Sequence, residues 1–577
     1  MTESVESKID LQEKDVDNLE AVDSEAGVYS TDDEQNQPEF SGIWGFFAKN
    51  AHVLVKLIQL VLAVGWIVYL GFAISMDFDC ALPWLVITCV GVGWHLFFRF
   101  PYPMLLEKPL GKAYDAMITW MSEHKKICYI FFGSLFPTVI VVICLVNQIW
   151  NEPLRIVSIC GYFVYILMMW GMSIFPKRVN WQLVLVGFSL EIVFGLVILG
   201  TSWGQAAFSY VGEIIAKFLA FSYEGSIFVF GDGYQEHFFA FSVLPTVCYF
   251  SAFVSLMYYY GVIQWVIAGL GAGMRVTMGT SGSESLSAAG NIFVGQTEAP
   301  LLIRPFLPDM TRSEIHAVMT GGFATIAGGV MAAYIGMGID AASLLSASVM
   351  AAPTALAMSK LVYPETERSL TKDNVEFKME MDKEQNFIEA ISNGASASIP
   401  LMANIGAMCI AFISLLACLD SILGNLGGCV GIPDLSFDLL CGYVFYPFVL
   451  LMGVPPEDAL AVATLLGQKT FINEFIAYDT LAQYQKNREE AIPDSTTISP
   501  RSEMIATFAL CGFANLGSMG IQLGGLTPLA PHRAPDFARI VGRALITGTI
   551  ACFANACIAG WLSDIPQAYE LGVTYDY

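Results

Sequence analysis

The chain is short of charge. Only 14% of its 577 residues are Asp, Glu, Lys or Arg, whereas a soluble domain averages about 25%. That excludes an ordinary water-soluble globular protein. A 55% hydrophobic composition and a mean hydropathy of +0.58 point to a chain embedded in lipid. C-x-x-C pairs are missing: the 13 cysteines stand singly, several in apolar stretches (Cys144, Cys160, Cys409, Cys552). They read as small core hydrophobes, not a disulfide framework. Histidine is scarce as well. No two of His52, His95, His124, His237, His316 and His532 have metal-ligand spacing, and there is no H-E-x-x-H. No N-x-Ser/Thr sequon offers a topology marker. No signal-peptide pattern precedes the first long apolar run, so the N-terminus is expected to be uncleaved and cytoplasmic.

What charge there is lies unevenly. The net charge is −24, yet residues 1–40 hold 13 Asp/Glu against 2 Lys. Residues 1–43 show no apolar periodicity and read as a disordered acidic cytoplasmic tail. A docking or phosphorylation segment (Ser4, Ser7, Ser24, Ser30, Thr31) is the alternative reading of that tail.

A membrane span needs about 20 apolar residues to cross roughly 30 Å of hydrocarbon. Such runs cover 53–76, 80–98, 127–147, 154–175, 181–202, 238–262, 316–338, 341–362, 398–418, 437–453, 503–521 and 538–562. Arg99, Lys108, Lys112, Lys125 and Lys126, and then Lys177 and Arg178, fall on the inner side if the N-terminus is inside. Residues 205–222 place Glu213 and Lys217 four apart, as in a helix lying in the interface.

Polar groups interrupt this apolar background at two places. In Asn291–Pro308 (NIFVGQTEAPLLIRPFLP), Gln296, Thr297 and Glu298 stand in a row between Gly295 and Pro300. A charge at the centre of a membrane helix costs roughly 2.5–3.5 kcal/mol on the insertion scale, so such groups need partners. Glycine before and proline after them disfavour an unbroken helix. Two half-helices meeting at a bend, with polar groups facing a small wet cavity, satisfy both constraints. The second place is Gly467–Tyr478 (GQKTFINEFIAY), which buries Asn473 and Glu474 between apolar flanks. Glu191 stands alone in VGFSLEIVFGLVIL, where helix packing explains it as well as function does.

The two places belong to an internal repeat. Arg312-Ser313-Glu314-Ile315 leads to Gly322-Phe323-Ala324-Thr325, and Arg501-Ser502-Glu503-Met504 leads to Gly512-Phe513-Ala514-Asn515. Upstream of each lies Gly-Gln followed by an acid: Gly295-Gln296 with Glu298, and Gly467-Gln468 with Glu474. Repeats of this kind, often inverted, are a transporter signature. Inversion needs an odd number of crossings between the bends, so one of 398–418 and 437–453 is expected not to cross. The expected fold is an all-α polytopic membrane protein with about eleven spans, two re-entrant hairpins in an inverted repeat, and interfacial helices. Its N-terminus is expected inside and its C-terminus outside.

The motifs GQTEAP at 295–300, NEF at 473–475 and CGFAN at 511–515 together resemble the concentrative nucleoside transporter family, over 238–562 and more weakly back to about residue 45. Three extra spans before residue 150 resemble its eukaryotic branch. The resemblance implies sodium-coupled symport of nucleosides into the cell across the plasma membrane, by a homotrimer whose mobile domains work as elevators. It implies no enzymatic activity and no nucleic-acid partner. By motif position, Gln296, Thr297 and Glu298 would meet the nucleobase, and Val330 and Phe513 would pack near it. Glu474, Asn515 and Ser518 would hold the ribose, and Asn291, Val294, Thr325 and Ile326 would hold sodium. Gly295 would leave room beside the base, as in members that accept purines. Cys511 matches a position linked to proton use, which makes the proton an alternative coupling ion.

The implied domains are the tail 1–43, three accessory spans in 44–150, and scaffold and interfacial helices in 151–262. A first repeat, 263–386, holds a hairpin at 275–308, a second, 387–562, holds one at 456–480, and a short tail, 563–577, ends the chain. A neutral nucleoside needs no Arg or Lys, while amide, hydroxyl and carboxylate groups match a base and a sugar. Three rivals differ in kind. Gly200-Thr201-Ser202-Trp203-Gly204 matches G-x-S-x-G, but at the end of an apolar helix and not at a strand-to-helix elbow. A channel would not saturate, and a nucleobase permease would take uracil as readily as uridine.

Overall fold

The computed structural model describes residues 61, 63–76, 78, 85, 88, 138, 153–237, 239–296, 298–371, 384–429, 435–493 and 495–562. The acidic tail 1–43, most of the accessory spans in 44–150, Thr297 and the tail 563–577 lie outside them. The chain divides into two compact units, residues 1–117 and 118–577. In the first, an apolar helix α1 (Ala63–Met76) is described, with Trp66 Nε1 donating to Thr88 Oγ1 at 2.9 Å. The second carries every residue discussed below.

Among the described residues there are helices and no strands. In chain order they are α2 (Leu154–Gly171), α3 (Trp181–Ile198), α4 (Ser202–Ala220), α5 (Ser222–Phe230), α6 (Leu244–Tyr259), α7 (Val262–Met278) and α8 (Gly282–Gly290). Then come α9 (Arg312–Ala324), α10 (Gly328–Gly336), α11 (Ala341–Val362), α12 (Phe387–Cys429) and α13 (Phe437–Leu451). The last five are α14 (Pro456–Phe471), α15 (Glu474–Glu489), α16 (Pro500–Leu510), α17 (Leu516–Leu526) and α18 (Ala534–Leu562). Among the described residues, seven helical segments are long and apolar enough to cross a membrane: 154–171, 181–198, 239–259, 312–336, 341–362, 387–426 and 531–562.

Local chemistry sets the boundaries. Ser281 and Thr311 each close a capping box, with Glu284 and Glu314 reaching back to the cap N–H at 3.1 and 2.8 Å. Asn180, Thr201, Asp340, Ser436, Asn473, Ser499 and Asn515 also cap helices through their side chains. Thr201 is therefore a helix cap, and the G-x-S-x-G match is explained by it. Gly279 at φ 72° ends α7.

Two apolar runs expected to be continuous are broken. The run 316–338 divides into α9 and α10 at Thr325–Ala327, and 503–521 divides into α16 and α17 at Cys511–Asn515. The run 398–418 is part of the 43-residue α12. On α4 the Glu213–Lys217 pair forms at 4.0 Å on an exposed face.

Packing centres on α18, which touches α2, α9, α11, α16 and α17 and is buried over most of its length. Glu191 is fully buried and accepts from Tyr162 OH at 2.7 Å, joining α2 to α3. Buried Lys360 pairs with Glu284, ties Ser313 Oγ at 2.9 Å, and so fastens the start of α8 to α9 and α11. By contrast α12 packs against α6 and leaves Ile410, Ile413, Leu415 and Ile422 exposed. An apolar face of that extent suits lipid, not water.

The start of α14 is fastened to the cap of α16. Asp458 Oδ2 accepts from Ser499 N at 3.0 Å, Ser499 Oγ at 2.7 Å and Ser502 Oγ at 2.5 Å. Replacing Asp458 by Ala leaves these donors without that acceptor, at a cost of about 1–3 kcal/mol. The thermal midpoint in detergent is expected to fall for Asp458→Ala and to stay unchanged for the exposed neighbour Glu457→Ala.

Candidate functional site

Four interruptions of helix build the site. Hairpin one is α8, a turn from Asn291, and the short 3-10 helix Ala299–Ile303. Its arms close because Gly290 has no Cβ: one there would fall 2.7 Å from Leu302 Cδ1. Val294 N bonds Gly290 O at 2.9 Å, and Ala299 N bonds Gly295 O at 3.0 Å, so the tip folds on its own backbone. Hairpin two is α14 and α15, which turns at Ile472 and is capped by Asn473 Oδ1 accepting from Ile476 N at 3.1 Å.

The two helix breaks lie against each other. Phe513 N donates to Thr325 O at 3.2 Å. Gly512, at φ +150°, brings its backbone so close that a Cβ would sit 2.7 Å from Phe323 O and 2.8 Å from Cys552 Sγ. Cys552 of α18 backs both breaks, its Sγ lying 3.1 Å from Cys511 O and 3.7 Å from Ala324 O.

A cavity of about 530 Å³ opens where hairpin tips and breaks converge. Gln296, Glu298, Val330, Glu474, Phe513, Asn515 and Ser518 all line it, so the structure brings together seven of the eight predicted substrate residues. The eighth, Thr297, lies outside the described residues. Glu474 is nearly buried and accepts from Asn515 Nδ2 at 2.7 Å, while Asn515 Oδ1 caps α17 through Ser518 N at 2.7 Å. Asn473 and Asn515 thus bring two helix N-termini to the cavity, each with its positive dipole end.

Among the described residues no Lys or Arg lines the cavity. Lys469, although it belongs to the GQK segment, is buried behind the wall and donates to Ala509 O at 2.8 Å, at the C-terminal end of α16. Aromatic rings support the acid: Tyr334 lies 5.1 Å from Phe475 and 4.4 Å from Tyr478. Cys511 faces Ser348 at 3.8 Å and does not line the cavity.

The predicted ion ligands sit beside this cavity, where hairpin tip one meets the break after α9. Gly328 N donates to Phe293 O at 3.1 Å, and a Cβ on Gly295 would lie 3.0 Å from Ala327 Cβ. Asn291 is packed over Gly321, and its Oδ1 is buried with no partner among the described residues. Thr325 Oγ1 donates to Gly321 O at 2.8 Å and keeps its lone pairs free to accept. An orphaned amide oxygen, a hydroxyl and backbone near Val294 and Ile326 form a donor set that fits a hard cation.

The opposite wall was missed by the sequence reading. It comes from α6 (Ser251, Ser255, Tyr258) and α12 (Ser398, Leu401, Ile405). Its signal was present: 251, 255 and 258 recur at helical spacing as a polar stripe in an apolar run. The space at Gly295 is shared with a neighbouring carboxylate. A Cβ there would meet Glu298 Oε2 at 2.6 Å, so the glycine accommodates the acid's own side chain.

Known proteins match this chain along most of its length. A family model described as Na+ dependent nucleoside transporter C-terminus matches residues 343–560, its N-terminal counterpart matches 160–233, and one described as nucleoside recognition matches 240–341. Solute carrier family 28 member 3 of Eptatretus stoutii is 45% identical over 543 residues, 92% of this chain and 78% of that protein. Sodium/nucleoside cotransporter 2 of Rattus norvegicus is 43% identical over 541 residues, 92% and 80% of the respective chains. The structure is similar to CNTnw in an inward-facing substrate-bound state, with a TM-score of 0.67 and 36% identity over 73% of this chain and 100% of that one. A doubly substituted CNTnw in an outward-facing state matches at 0.67 and 36%, over 71% and 99%.

The close approach of the two breaks yields a direct test. Gly512→Ala forces a Cβ against Phe323 O and strains a positive-φ position, at an expected cost of about 1–3 kcal/mol. Thermal unfolding in detergent is expected to show that loss. Gly520→Ala, where a Cβ meets nothing within 4 Å, is expected to be neutral.

Proposed function

Because the chain belongs to the sodium-dependent nucleoside transporter family, we propose that it carries nucleosides into the cell by symport with sodium. The observation that carries this reading is the single cavity shared by Glu298 and Glu474, lined by amides and hydroxyls and by no cation among the described residues. Such a lining suits a neutral solute with both donors and acceptors. Gln296, Thr297 and Glu298 meet the base, with Val330 and Phe513 packed beside it. Glu474, Asn515 and Ser518 take the ribose hydroxyls, the Glu474–Asn515 bond at 2.7 Å holding the acid in place. Sodium enters between Asn291, Val294, Thr325 and Ile326, where the unpartnered Asn291 Oδ1 supports an electropositive guest. A proton is the alternative coupling ion, although the recessed position of Cys511 gives that no direct route from the cavity.

The architecture proposed around this site is an inverted repeat of five parts: a long helix, a short helix, a hairpin, a broken helix and a long helix. The first copy is α6, α7, hairpin one, α9–α10 and α11, and the second is α12, α13, hairpin two, α16–α17 and α18. The first repeat would then begin near residue 239 instead of 263. In this scheme α13, at 15 residues, reaches only about 22 Å and does not cross. Three crossings then separate the hairpins, which supports their opposite, re-entrant orientation. Seven long helices, the broken α16–α17 and three accessory spans before residue 150 give eleven crossings, with the N-terminus cytoplasmic and the C-terminus extracellular. The exposed apolar length of α12 supports a lipid-facing or subunit-facing helix in a plasma-membrane homotrimer, in which the hairpins and broken helices move as an elevator.

Coupling makes the ion useful. One charge falling through 100 mV releases about 2.3 kcal/mol, and a tenfold gradient adds about 1.4. Together they drive accumulation of a few hundredfold.

Two substitutions test the assignments. Glu474→Gln is expected to cut nucleoside uptake by more than about tenfold with normal surface expression, since a charged hydrogen bond to the sugar is lost; normal uptake removes Glu474 from the site. Asn291→Ala is expected to raise the sodium concentration for half-maximal uptake severalfold. An unaltered sodium curve contradicts that ligand.

A further inference from the structure

Gln522 has no place in the roles above, yet it is placed like a working residue. It lies one turn beyond Ser518 on α17, is 1% exposed, and both its amide oxygen and its amide nitrogen are buried without a partner among the described residues. Leaving both ends of a buried amide unpaired is costly, so the site is incomplete as it stands. The neighbour that would complete it is Gln296. A Cβ built on Gly322 would fall 3.0 Å from Gln522 Nε2, 3.1 Å from Gln522 Oε1 and 2.9 Å from Gln296 Cβ. The missing side chain at Gly322 therefore leaves the two glutamines within about 6 Å of each other, a gap one glutamine side chain spans. Gln296 Oε1 is itself buried and unpartnered. Gln296 lines the cavity, whereas Gln522 does not.

We propose that Gln522 is a positioning residue for base selection. Its Nε2–H donates to Gln296 Oε1 and so leaves Gln296 Nε2–H facing the cavity. The proposal rests on the assignment of Gln296 to the base. A primary amide alone presents either a donor or an acceptor by flipping, and so distinguishes poorly between base edges. Held with its buried Oε1 on Gln522 Nε2–H, it presents a donor. That favours bases whose facing edge carries a carbonyl, such as uracil or hypoxanthine, over those carrying an amine, such as cytosine or adenine. Gly322 takes part because it alone keeps the space between the two amides open.

The test replaces Gln522 with groups of different hydrogen-bonding sense and reads KM for uridine against cytidine and for inosine against adenosine, normalised to surface protein. Gln522→Glu supplies an acceptor only, which draws Gln296 Nε2–H toward it and turns Gln296 Oε1 to the cavity. Both KM ratios are expected to shift toward the amine-bearing base by about tenfold or more, because a mismatched edge leaves a buried group unpaired. Gln522→Met, of similar volume and without a hydrogen bond, is expected to bring both ratios toward unity. The double substitution Gln296→Ala with Gln522→Met is expected to match Gln296→Ala alone. Where the Glu variant does not reach the membrane, the Met variant and the double substitution decide. Ratios that move with Gln296→Ala but with no Gln522 variant, or additive effects in the double substitution, overturn the role of Gln522. Ratios untouched by Gln296→Ala itself show that the base assignment has failed, and this proposal falls with it.

Discussion

The structure depends on two broken helices joined through their breaks. A helix interrupted in hydrocarbon exposes backbone groups that lipid cannot satisfy, each at a cost of several kcal/mol. Here one break supplies a partner for the other: Phe513 N–H donates to Thr325 C=O at 3.2 Å. The approach is possible because Gly512 carries no side chain, and Cys552 on the central α18 closes the back of the joint. The remaining free ends, the N-termini of α15 and α17 with their caps Asn473 and Asn515, then open into the cavity.

Charge placement follows the same economy. Glu298 and Glu474 line the cavity, and no lysine or arginine among the described residues does so. The lysine closest in sequence, Lys469, turns away to Ala509 O near the end of α16, where the helix dipole favours a cation. Had it faced the cavity it would have neutralised Glu474 and competed with a guest cation. In the proposed symport, the travelling ion adds a positive charge on the cavity side of the acids, and that charge is lost when the ion leaves.

The sequence made these features legible to different degrees. The polar triad at 296–298 and the acid at 474 stand out because their cost in an apolar run is large and local, and Gln296, Glu298 and Glu474 do share one hollow. The repeat was visible for the same reason, since the two breaks demand glycine and a capping or hydroxyl residue at matching places, Thr325 and Asn515. The division of 316–338 and 503–521 into half-helices was not legible: an apolar run looks alike whether or not it is interrupted, and the interruption is stabilised by residues nearly 200 positions away. The wall from α6 and α12 escaped notice because Ser251, Ser255 and Ser398 are cheap in a helix, each able to bond a nearby carbonyl of its own helix, as Ser398 does to Ala395 O at 2.7 Å.

The geometry also bears on how ion and solute are linked. Asn291 and Gln296 sit on one short turn, whose backbone bonds run mostly within itself, from Val294 to Gly290 and from Ala299 to Gly295. That turn is fastened outward through its Phe293 C=O, which accepts from Gly328 N–H just beyond the helix break that carries Thr325. A cation drawn to Asn291 Oδ1 and Thr325 Oγ1 would pull on both sides of that fastening and so set the tip that carries Gln296 and Glu298. The buried oxygen left unpaired at Asn291 is a cost the fold bears without the ion. Relief of that cost on binding is differential energy of the kind that can shift a population toward a tip competent for the base. Coupling then needs no contact between ion and nucleoside, only a turn that neither can hold in place alone.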